Sequence, residues 1–177
     1  GLGLAVHPTM PKFASVRAQL LQVYDCPGRQ PLFSQSLDRC GYCCAFSHDG
    51  RYIAVGLQGA VVPPYDVNVE VHTVVVYGFP TSMKQSANDT QPSTAVSPSR
   101  QRFNSNATAK TDTQSGLIRK FSWRHTERNT VSSITVCRFS PNGKLLLVGT
   151  DLGHVISYDA TESGEFKLLC TVCHSLH

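Results

Sequence analysis

Short apolar runs separated by turn residues recur along the chain, and their order repeats. Residues 45–56 read AFSHDGRYIAVG, and residues 138–149 read RFSPNGKLLLVG. A third, worn copy is AVHPTMPKFASV at 5–16. Each copy has the form strand, turn, strand. Asp49-Gly50 and Asn142-Gly143 are strong turn signals, because Gly accepts a positive φ without steric cost. The runs that follow, 52–56 and 145–149, are continuously apolar and are expected to form strands buried on both faces.

Another strand follows the copies at 5–16 and 138–149 and ends in Tyr-Asp. These strands are Leu20–Asp25 and His154–Asp159, whose ends lie 19 and 20 positions beyond the anchors Val6 and Phe139. Further strands are expected at 31–34 and 166–170. Four short strands in roughly 40 residues, repeated, is the pattern of propeller blades. The middle unit is stretched. Pro63 and Pro64 cannot donate ladder hydrogen bonds, so 72–77 is the better strand. Residues 60–71 read as an insertion, with Val67, Val69 and Val71 alternating as in an extra pair of strands. Residues 80–116 are rich in Ser, Thr, Asn, Gln and Pro, and Met83, Val96 and Phe103 are their only large apolar side chains. Such a segment buries too little surface to offset its ordering entropy, and a disordered loop is predicted. Leu117–Trp123 returns to strand character and closes the middle blade. The expected fold is all-β, with about three four-stranded β-propeller blades belonging to a larger propeller. The blades are placed at 1–36, at 37–79 with the closing strand 117–124, and at 131–177. Three blades alone leave open edges at both ends.

Composition agrees with a packed β domain. Of the 177 residues, 41% are hydrophobic and 16% charged, which supports a core and excludes a solvated helical rod. No run of 18 apolar residues exists, so no membrane-spanning helix is expected. Residues 1–6 are too short for a signal peptide and lack a basic start. The net charge is +4, and it is unevenly placed. Residues 80–128 hold 8 Lys and Arg against 3 acids, whereas the remainder holds 8 against 9. One modest basic segment is poor evidence for nucleic-acid binding, which calls for a basic face with readout elements. It suits an acidic protein partner. The candidate contacts are Arg100, Arg102, Lys110, Arg119, Lys120, Arg124 and Arg128. The competing reading is that these charges only keep a loop solvated.

Two cysteine spacings resemble sites. Cys40 and Cys43 form CxxC, and Cys170, Cys173 and His174 form CxxCH, the haem-attachment spacing. Zinc needs four converging ligands, and these pairs lie far apart in sequence. An odd count of 7 Cys without a secretory start favours reduced thiols, acting as small hydrophobes in strands. No metal, haem or other cofactor is expected. The glycosylation sequons at Asn88 and Asn106 matter only for a secreted chain. No Ser–His–acid set in a nucleophile-elbow context and no phosphate-binding Gly loop occurs. An enzyme and a small-molecule substrate are therefore not expected.

The hairpins resemble WD repeats, with Tyr24-Asp25 and Tyr158-Asp159 in place of the usual Trp-Asp. More narrowly, GLAVHP at 3–8, CCAFSHDG at 43–50, and Arg124-His125 ahead of RFSP at 138–141 resemble the echinoderm microtubule-associated protein-like family. The likeness covers most of 1–59 and 117–177, but not 60–116, and the hydrophobic motif that precedes that family's propellers is not recognisable. The resemblance implies tandem propellers and a non-catalytic scaffold that binds tubulin or an axonemal or other cytoskeletal assembly. It implies a cytoplasmic, cytoskeleton-associated location, including the cilium or flagellum. It also implies that Cys43 and Cys44 are structural, and that His125 and His174 belong to a hydrogen-bond network with Asp151 and Tyr158. The alternative is a WD-repeat scaffold of another complex, in trafficking or signalling.

Overall fold

In a computed structural model, the described residues are 2–28, 31–59, 72–79, 117–123, 133–161 and 165–173, with His72 and 117–123 described as backbone only. The insertion expected at 60–71 and the loop expected at 80–116 lie outside the described residues. Twelve strands and no helix occur among the described residues. They are β1 (Leu2–Val6), β2 (Lys12–Arg17), β3 (Leu20–Asp25), β4 (Pro31–Ser36), β5 (Gly41–Phe46) and β6 (Tyr52–Leu57). The remainder are β7 (His72–Gly78), β8 (Leu117–Trp123), β9 (Ile134–Phe139), β10 (Leu145–Thr150), β11 (His154–Asp159) and β12 (Lys167–Cys173). They form three antiparallel sheets of four consecutive strands each, β1 to β4, β5 to β8 and β9 to β12. The sheets are called blades 1, 2 and 3 below.

The repeated turns form as their sequences require. In blade 2 the Ser47 amide donates to the Tyr52 carbonyl, and the Gly50 amide donates to the Ser47 carbonyl, each at 2.9 Å. The Ser47 hydroxyl donates to Asp49 Oδ1 at 2.6 Å and accepts from the Tyr52 amide at 2.9 Å. Blade 3 repeats the arrangement with Ser140, Asn142 and Leu145. Gly50 and Gly143 take φ of 73° and 70°, the left-handed conformation that favours glycine. In blade 1, His7 stands where the other copies have Ser. Its Nδ1 accepts from the amides of Thr9 and Met10 at 3.2 and 3.1 Å.

Successive blades bury opposite faces of the same strands. On β6, Ile53, Val55 and Leu57 pack toward blade 1, while Ala54 packs toward blade 3. Val75 and Tyr77 of β7 join the first cluster, and Val74 and Val76 the second. The first cluster is completed from blade 1 by Ala5, Ala14, Val16, Leu21, Val23 and Phe33. Ile134, Cys137, Leu146, Val148, Ile156 and Tyr158 complete the second from blade 3.

Full burial of both faces, expected for 52–56 and for 145–149, holds only in the middle blade. Residues 53–57 are all buried, but β10 alternates, with Leu146 at 0% exposure and Leu147 at 38%. The cause is position in the stack: no described residue covers the outer face of blade 3. Blade 1 shows the same on its outer face, where Leu2, Leu4 and Val6 are exposed. The three described sheets do not close into a ring.

Candidate interaction surface

The repeated turns of blades 2 and 3 lie side by side and leave a groove of about 260 Å³ between them. Tyr52 and Phe139 contribute aromatic surface, and Arg51 and Lys144 contribute charge. These two cations occupy equivalent positions, each directly after the turn glycine. Arg51 is ion-paired with Asp49 and lies 5.8 Å from the centre of the Tyr52 ring, a cation–π distance. Tyr52 in turn meets the edge of Phe166 at 6.1 Å. Burial works against ionisation of Asp49. It is outweighed by the Ser47 hydroxyl, the Arg51 amide and the Arg51 guanidinium, which hold the carboxyl at about 2. The groove thus presents fixed hydrogen-bonding turns, one ion pair, the Lys144 side chain and the aromatic rings of Tyr52 and Phe139. That arrangement suits a polypeptide segment with an acidic side chain.

His7 lies beneath the blade 2 turn, 3% exposed, with its ring centre 4.9 Å from that of Phe46 and 5.9 Å from that of Phe79. Since Nδ1 accepts two amides, the neutral ring carries its proton on Nε2, which faces the Gly50 backbone. Burial holds the His7 pKa below its ordinary 6.5, and Lys12 adds to this; the Gly50 backbone and Asp49 act the other way. Protonation must place a hydrogen on Nδ1 and abolish both turn bonds. The folded pKa is lowered, so this contribution is full above pH 6.5 and is lost as pH falls through the folded value. A urea midpoint that falls from pH 7 to pH 5.5 is expected, and His7→Asn should flatten that part of the profile.

The basic residues singled out from sequence fall mostly elsewhere. Arg100, Arg102, Lys110, Arg124 and Arg128 lie outside the described residues. Arg119 and Lys120 lie on β8, the outermost strand of blade 2, in register with Val76 and Val75. Of the network residues, His125 and His174 also lie outside the described residues. Asp151 lies in the turn that enters β11, and Tyr158 lies near the far end of that strand. Asp151 accepts from the amide of Ser133, just ahead of β9, at 3.0 Å, whereas Tyr158 is buried beside Leu146. Burial pushes the Tyr158 phenol up to about 12, with the Cys137 thiol a lesser cause. Among the described residues no group of three or more His, Cys, Asp or Glu is placed to hold a metal ion. The groove itself was missed from sequence. Its signal was present, since Arg51 and Lys144 hold the same place in the two best-matched repeats.

No protein-family model matches the chain, and no curated protein does. The architecture is similar to the crystal structure of Sqt1 from Saccharomyces cerevisiae, with a TM-score of 0.56 at 12% sequence identity. The match covers 96% of this chain and 34% of that chain, so the present chain spans about a third of its neighbour's length. The fold is that of WD-repeat-type propeller blades. Identity this low carries the fold alone, and the narrower family likeness rests on the quoted motifs.

Proposed function

We propose that the chain is a non-catalytic protein-interaction scaffold that associates with microtubules or an axonemal assembly in the cytoplasm. The observation that carries the scaffold reading is the stack of blades with repeated turns that frame an aromatic, cation-bearing groove. WD-type blades offer such surfaces to partners, although a fold by itself does not fix function. Three motifs support the microtubule reading, GLAVHP at 3–8, CCAFSHDG at 43–50 and RFSP at 138–141, together with the basic residues between 100 and 128. Acidic polypeptide tails would be attracted by the positive charges of Arg100, Arg102, Lys110, Arg119, Lys120, Arg124 and Arg128. Each is worth little singly, and all are weakened by salt.

The test is co-sedimentation of the chain with polymerised tubulin across a salt series. Binding is expected at low ionic strength and should fall several-fold toward physiological salt. Deleting 84–112 removes Arg100, Arg102 and Lys110 and should flatten the salt slope. Absence of pelleting at low salt would transfer the scaffold to another complex.

A further inference from the structure

The inner strands of blades 2 and 3 bring two thiols together that are remote in sequence. Cys43 on β5 and Cys137 on β9 are 94 positions apart, yet their Sγ atoms are 3.5 Å apart. Both are free thiols. Cys137 is buried, while Cys43 is only half-buried and its Sγ also lies 3.8 Å from the Ile134 carbonyl oxygen. The pairing is not the CxxC of Cys40 and Cys43, because Cys43 points across the blade interface. It is also not a general feature of the repeat. Gly3 holds the position of Cys43 in blade 1 and offers no sulfur to blade 2. Cys44, on the opposite side of β5, is buried with its Sγ 3.9 Å from the Ala14 carbonyl oxygen.

We propose that Cys43 and Cys137 form a thiol–disulfide exchange site that reacts with low-molecular-weight disulfides, such as oxidised glutathione, and closes a covalent link between blades 2 and 3. The Cys43 thiolate attacks one sulfur of the glutathione disulfide. That sulfur–sulfur bond breaks, and the first glutathione leaves as a thiolate that takes a proton from water. The Cys137 thiol then loses its proton to solvent, and its sulfur attacks the Cys43 sulfur and expels the second glutathione thiolate. Two protein thiols are oxidised and one glutathione disulfide is reduced to two thiols, so electrons balance. The Sγ atoms have to approach from 3.5 Å to about 2.05 Å, a movement within reach of side-chain rotation.

The division of roles follows from the environments. The sulfur contact with Cys137 lowers the Cys43 pKa. Burial opposes this, and the Gly56 backbone and the Arg138 charge reinforce it. The same contact, with burial, pushes the Cys137 thiol well up, which suits a resolving thiol that reacts only once its neighbour is derivatised. Burial, with the adjacent Cys43 adding to it, pushes the Cys44 thiol to about 12, so it should stay unreactive.

The experiment treats the folded chain with oxidised glutathione, quenches it with acid, and maps cysteines by mass spectrometry of a non-reduced digest. A Cys43–Cys137 cross-link is expected, together with a Tm rise that dithiothreitol reverses, while Cys44 stays a free thiol. Cys137→Ser should trap glutathione on Cys43, and Cys43→Ser should leave Cys137 unmodified in the folded chain. The exposed Cys26, Cys170 and Cys173 take up glutathione in every variant and serve as the control. If a variant fails to fold, the digest of the unaltered chain decides. Reduced Cys43 and Cys137 after treatment, a stable glutathione adduct on Cys43 in the unaltered chain, or a Cys40–Cys43 bond would each overturn the proposal.

Discussion

Gly50→Ala is expected to destabilise the chain by about 3 kcal/mol, and Gly143→Ala by only about 1 kcal/mol. Both glycines occupy the same place in the repeat and both have φ near the left-handed minimum, 73° and 70°. The backbone term is therefore shared, about 1–2 kcal/mol for a non-glycine residue. The surroundings differ. A Cβ on Gly50 would run into Nε2 and Cε1 of His7, whereas on Gly143 it would meet only His48 Cβ, at 3.6 Å. The His7 ring cannot yield easily. Phe46 and Phe79 flank it, and its Nδ1 is held by two amides. Urea unfolding of the two variants measures the difference. Equal losses would show that His7 does not fill the space beneath the blade 2 turn.

Leu146→Ala should cost about 3 kcal/mol, and Leu147→Ala below about 1 kcal/mol. The two residues are neighbours on β10 with the same side chain, so propensity and the lost methyl groups are matched. Leu146 is fully buried in the second cluster, which also holds Ala45 and Ala54 of blade 2, and its truncation leaves a cavity in a close-packed interface. Leu147 projects from the outer face of blade 3 at 38% exposure, where water fills the vacated space. A comparable loss at both positions would mean that the outer face is covered in solution. A concentration-dependent midpoint would then identify a second copy as the cover.

The elements and their grouping were legible in local sequence patterns. Turn chemistry and strand patterning act over a few residues, so Asp49-Gly50, Asn142-Gly143 and the strands ending at Asp25 and Asp159 were legible without knowing their neighbours. Repetition then gave three four-stranded sheets, because a motif met three times implies one supersecondary unit met three times. What lies between blades had no such local mark. Residues 145–149 read as apolar as 52–56, yet among the described residues only the middle blade has a neighbour on each side, and burial is decided by the neighbour. His7 looked like a worn turn residue until blade 2 closed over it. Cys43 looked like half of a CxxC pair, and its real sulfur neighbour is 94 positions away. Arg51 and Lys144 became one groove only when two turns were stacked. Those outcomes belong to the tertiary structure because the rotation of one sheet on the next sets which atoms meet. That rotation arises from packing summed over whole faces, and no short stretch of chain carries it.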